Sequence, residues 1–60
     1  MLYGLGQAYF LVGVGYQEKE MFQQAKEALK NALYIFQLIE YKDFEIKTQR
    51  QMEKLEKQFS

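Results

Sequence analysis

Thr48 and Ser60 are the only aliphatic hydroxyls in these 60 residues, and the chain has neither histidine nor cysteine. A hydroxyl nucleophile needs a neighbouring base, and no imidazole is present to serve as one. The same composition excludes a zinc site, a disulfide and a cysteine nucleophile. The carboxylates of the last third alternate with Lys and Arg, the pattern of a solvated helix face and not of an acid/base dyad. Gly4-Leu5-Gly6 lacks what a phosphate-binding turn requires, namely a preceding strand, a third glycine at the right spacing and a following acidic residue. These residue types point away from catalysis, metals and cofactors. They describe a chain that works by contact.

Sixty residues make one small domain at most, and a domain of this size buries only about 60% of its unfolded surface. Small folds compensate with disulfides, a metal or oligomerisation. With the first two excluded, the expectation is self-association or packing against further chain. The formal net charge is zero and the charges are interspersed, so there is no basic stripe for nucleic acid. The absence of cysteine fits a reducing cytoplasm.

Met1 to Gln17 carries no charged side chain, so a membrane role has to be weighed. Seventeen residues containing four glycines sit at the lower limit for a spanning helix. No Lys or Arg precedes Lys19, so the basic region of a secretory signal is missing too. The expectation is a cytoplasmic chain with no membrane contact.

The elements follow from periodicity. Leu2, Leu5, Tyr9, Val12 and Tyr16 recur at intervals of three and four, predicting a first helix over about 2–14. Tyr3, Phe10 and Val14 are apolar on the other side, so this helix needs cover on more than one side. Gly13-Val14-Gly15 is read as its end, because glycine takes a left-handed cap without strain. A second helix is expected over about 19–39, with Glu18 and Glu20 favouring its positive end. Its stripe is Met21, Ala25, Ala28, Ala32, Phe36 and Ile39, with Ala28 or Ala32 placed at a close contact against the Leu5–Tyr9 face. Asp43 is read as the N-cap of a third helix over 43–58, carrying a narrow stripe of Phe44, Thr48, Met52, Leu55 and Phe59. The pairs Asp43–Lys47 and Glu53–Lys57 are four apart and favourable. The alternative is that helices two and three fuse into one rod.

The spacing of Leu5, Gly6 and Tyr9, followed by Ala25, Leu29 and Ala32, resembles the tetratricopeptide repeat (TPR) family over about residues 2–39. Residues 43–60 are similar to a following capping helix. The resemblance implies an all-α fold in which a TPR-like antiparallel helical hairpin precedes a third, solvent-facing helix. It implies a non-catalytic protein- or peptide-binding module at the C-terminal end of a repeat array. The end of a Gram-positive peptide-responsive transcription regulator is one such place. Three features depart from the family: a longer join between the first two helices, Glu40 or Tyr41 where a small residue is usual, and a single hairpin where at least three repeats are normal.

In the family the first helix lines the concave groove, and a polar residue after the Leu-Gly pair clamps a ligand's backbone amide. Carried over, that residue is Gln7, with Tyr3, Phe10 and Leu11 on the same side. An amide offers both donor and acceptor to a peptide group. The plainer reading of Gln7 is a polar residue tolerated at a helix contact, and the plainer reading of the aromatics is core. Two partners are thus expected: a protein or peptide ligand, and either preceding repeats or a second copy. The second is the alternative function, a self-associating helical element. Whether Met1 is a natural start would discriminate between them.

Overall fold

Three helices fill residues 1–59, which are the residues that the computed structural model describes: α1 (Leu2–Glu18), α2 (Phe22–Leu38) and α3 (Lys42–Phe59). The side chain of Phe59 and the whole of Ser60, both named above, lie outside the described residues. The fold is all-α. Helices two and three are separated by a turn, so the single-rod alternative does not hold.

The turns lie elsewhere than expected, and both are built alike. α1 runs through Gly13 and Gly15 to Glu18, four residues past the expected end, and neither glycine takes a positive φ. The left-handed residues are instead Glu20, with φ 60°, and Glu40, with φ 57°. The Glu20 N–H donates to the Gln17 carbonyl at 3.0 Å, and the Met21 N–H donates to the Tyr16 carbonyl at 2.8 Å. The second turn repeats this with Glu40 to Gln37 at 3.2 Å and Tyr41 to Phe36 at 2.9 Å. This is the Schellman closure, which satisfies the last carbonyls of a helix. Glu18 therefore ends α1, at the helix pole where a carboxylate is unfavourable, and does not open α2. α2 is correspondingly shorter than 19–39. α3 begins at Lys42, which places Asp43 in its first turn and not at the cap.

α1 and α2 are antiparallel, because Gly6 meets Phe36 and Ile35 while Gly13 meets Leu29. The contact is made by the glycines. Leu29 and Phe36 are fully buried above them, each burial contributing about 1.5–3 kcal/mol. Ala25, Ala28 and Ala32 are buried as the stripe predicts, whereas Leu5 is 47% exposed and Tyr9 half-buried. Gly6, Gly13 and Gln17 are the buried residues of α1. A close approach of backbones decides which side turns inward.

α3 closes over this pair with the expected stripe. Thr48 and Leu55 are buried, and Phe44 and Met52 are half-buried. The Thr48 hydroxyl is satisfied locally, donating to the Phe44 carbonyl at 2.6 Å. Arg50, Glu53, Lys54 and Lys57 remain exposed, so the outer side is solvated as expected. Lys47 stands over the Phe44 ring at 4.9 Å, and an ion pair three residues apart joins Lys42 and Glu45 at 3.9 Å. Such exposed pairs add a few tenths of a kcal/mol. α3 lies parallel to α1, since Phe44 near its start meets Tyr3 and Phe10, whereas Gln51 and Gln58 further on meet Gln17.

Candidate functional site

The residues that could act by contact fall on three surfaces of this bundle. The first is the seam between α1 and α3. At its start Phe44 is the hub of an aromatic cluster: it stacks on Phe36 with ring centroids 5.2 Å apart and meets Tyr3, Phe10 and Tyr41 edge-on at 6.0, 6.1 and 5.5 Å. Tyr3 in turn stacks on Tyr41 at 4.9 Å. Edge-on and stacked pairs of this kind add about 0.5–1.5 kcal/mol beyond the area they bury. At the far end the buried Gln17 amide is held on both sides. The Gln51 Nε2 donates to the Gln17 Oε1, and the Gln17 Nε2 donates to the Gln58 Oε1, each at 2.7 Å.

The four groove residues expected on α1 are divided by this seam. Tyr3 is engaged by Tyr41 in the second turn and by Phe44 of α3, and Phe10 by Phe44. Phe10 is half-buried by this, whereas Tyr3 remains 38% exposed. Gln7 is half-buried and its Nε2 donates to the Tyr3 hydroxyl at 2.9 Å, which fixes the amide along the helix. Leu11 is 67% exposed. Gln7 and Leu11 are thus the members of the set that α3 leaves accessible, and Tyr3 joins them through its exposed edge.

The second surface is the outer side of α1. Leu2, Leu5 and Val12 are exposed, with Ala8 exposed between them. These include residues that periodicity assigned to the packed face. The reason is that α1 is apolar all round, so its pattern carries no phase, and the glycine side fits closest to α2. No charged side chain interrupts the surface before Glu18. Gly4 and Gly15 have no neighbouring atom within 4 Å of where a β-carbon would stand.

The third surface is a groove of about 490 Å³ between α2 and α3, lined by Phe22, Lys26, Leu33, Met52, Glu53 and Leu55 among others. It is an apolar trough with both signs of charge along it. Elsewhere, the Tyr41 phenol is pushed above its ordinary value of 10.0, first by its hydrogen bond with Tyr3 and then by that residue's charge, by burial and by Asp43. Among the described residues no three His, Cys, Asp or Glu side chains gather to hold a metal ion, and no helix is long and apolar enough to cross a membrane.

The chain alone signalled two of these surfaces in part. Phe44 stood in the α3 stripe, but its role as a hub needed the distances across helices. Gln17 lies beyond the helix expected over about 2–14, and only the extension of α1 to Glu18 brings it into the seam. No family model, curated protein or solved structure matches this chain.

Proposed function

We propose that this chain is a non-catalytic protein-interaction module, a TPR-like hairpin with its capping helix, whose α1 receives another helix. The observation that carries this is the outer surface of α1, where Leu2, Leu5, Ala8 and Val12 are all exposed on a helix without a charged side chain before Glu18. Exposed apolar surface that is continuous and bare of charge marks an interface. A helix with leucines at the same three-and-four spacing fits such a surface. In a repeat array the preceding hairpin would occupy it. The groove edge formed by Tyr3, Gln7, Phe10 and Leu11 supports a second, peptide-binding reading, because Gln7 is held in place by the Tyr3 hydroxyl while Leu11 stands free beside it.

The test is a nuclear magnetic resonance titration of the chain with a synthetic amphipathic leucine-rich helix. Shifts confined to Leu5, Ala8 and Val12 support the first reading, and shifts at Gln7 and Leu11 support the second. A chain that binds no apolar helix at millimolar concentration, and whose Leu5→Glu variant behaves like the parent, would overturn both.

A further inference from the structure

We propose that the occupant of the outer α1 face is a second copy of the same face, placed antiparallel across a twofold axis lying between Ala8 and Tyr9. The inference rests on the interaction-module reading and names its partner. Four observations carry it.

The first is spacing. Leu5, Ala8, Val12 and Gly15 follow one another at steps of three, four and three, the seam of two helices packed side by side. The second is fit. In the antiparallel register Leu5 of one copy lies opposite Val12 of the other, Leu2 opposite Gly15, and Ala8 opposite Tyr9. Leu2 and Tyr9 therefore face the small Gly15 and Ala8, and Leu5 packs on Val12, as close packing requires. Nothing fills the space at Gly15 within the monomer.

The third is charge. A twofold interface sets a surface against itself, so any charge on it meets its own sign. Residues 1–17 have no charged side chain, and the face is compatible with itself. α1 also has no acidic residue in its first turn and no basic residue in its last, so both poles of its dipole are uncompensated. Antiparallel pairing brings the Glu18 end of one copy to the positive pole of the other. A parallel pair would bring like poles together.

The fourth is size. α1 has 17 residues and is about 25 Å long at 1.5 Å per residue, so a contact along its outer face buries a few hundred Å² per copy. That is the small, weak end of the range for specific interfaces, and it sets a reversible dimer that forms toward millimolar concentration and dissociates on dilution.

Sedimentation equilibrium from low micromolar to millimolar concentration tests this on the whole chain. The parent is expected to follow a monomer–dimer equilibrium, and Leu5→Glu with Val12→Glu is expected to raise the dissociation constant at least tenfold. Both side chains are half-exposed, so helix content by circular dichroism should be unchanged. Because the chain lacks cysteine, a single introduced thiol gives a second, independent reading. Ala8→Cys is expected to form a disulfide-linked dimer under mild oxidation. Gly15→Cys is not, since its two copies lie at opposite ends of the seam, about 20 Å apart at 1.5 Å per residue. A monomer throughout the range, a dimer indifferent to the glutamates, or faster linkage through Gly15→Cys would each overturn the proposal. If the chain is monomeric yet binds the synthetic helix on this face, the interaction module stands and only the second copy falls.

Discussion

Gly13 faces Leu29 so closely that a β-carbon on Gly13 would lie 2.8 Å from the Leu29 Cγ and Cδ2 and 3.3 Å from its backbone nitrogen. The backbone atom cannot turn aside, and α2 would have to move. Gly6 is similarly close, with a β-carbon 2.9 Å from the Phe36 Cε1 and 3.1 Å from the Ile35 Cγ2, but those are side-chain atoms and not backbone. Two glycines thus fix the distance between α1 and α2.

The four glycines are expected to separate into two classes on substitution by alanine. Gly13→Ala overpacks the contact and costs ~1–3 kcal/mol, with Gly6→Ala costing less. Gly4→Ala and Gly15→Ala meet open space, and each gains about 0.5–1 kcal/mol from helix propensity. Thermal unfolding checks this, at about 4–8 °C per kcal/mol for a chain of this size. A Gly13→Ala variant as stable as the parent would contradict the helix spacing described here.

Glu20 and Glu40 hold left-handed backbones at which glycine is the unstrained residue. Replacing either with glycine is expected to raise stability by about 0.5–1 kcal/mol, after the larger entropy of the glycine-containing unfolded chain is allowed for. Glu20→Val should destabilise instead, because a β-branched residue is strained at positive φ. Denaturant midpoints of the three variants measure the order, and a stabilising valine would refute the turn geometry.

Gln17 is buried between two partners, one donating to it and one accepting from it. Gln17→Leu removes both bonds at once and is expected to cost ~1–3 kcal/mol. Gln17→Glu keeps an acceptor for Gln51 but brings a buried carboxylate against the Gln58 Oε1, so it should cost more at neutral pH than in mild acid. A double-mutant cycle between Gln17 and Gln51 is the decisive measurement, and a coupling energy of zero would show that the bond contributes nothing.

Tyr41 holds its proton above the ordinary value of 10.0, chiefly through its hydrogen bond with Tyr3. A group whose folded value is raised contributes stability that is complete below the unfolded value and is lost as pH rises through the folded one. The contribution should therefore be intact at neutral pH and vanish in the alkaline range above 10.0. Tyr3→Phe removes the bond, so the Tyr41 titration followed by ultraviolet absorbance should move down. An unchanged titration would place the cause elsewhere.

The aromatic and amide contacts across the seam show what could be read from the chain and what could not. The α3 stripe of Phe44, Thr48, Met52 and Leu55 and the buried alanines of α2 were legible, because each helix alternates apolar and polar residues with a clear phase. The groove set was legible only as a face: Tyr3, Gln7, Phe10 and Leu11 share one side of α1, but the division that α3 imposes on them depends on Tyr41 and Phe44, more than thirty residues away. The turn positions are not legible from glycine, because no glycine of this chain takes the left-handed cap. Here Glu20 and Glu40 accept that strain, held by two backbone hydrogen bonds in each turn.

The sequence by itself determined three helices, the inward faces of the second and third, and the absence of any thiolate or imidazole. Only the tertiary structure decided which way α1 turns. Apolar residues surround that helix, so transfer from water favours no side over another. What separates its sides is size, and size acts only when a neighbour is present. With α2 alongside, Gly6 and Gly13 let Leu29 and Phe36 approach the α1 backbone, and the dense contact so made turns Leu5 and Val12 outward.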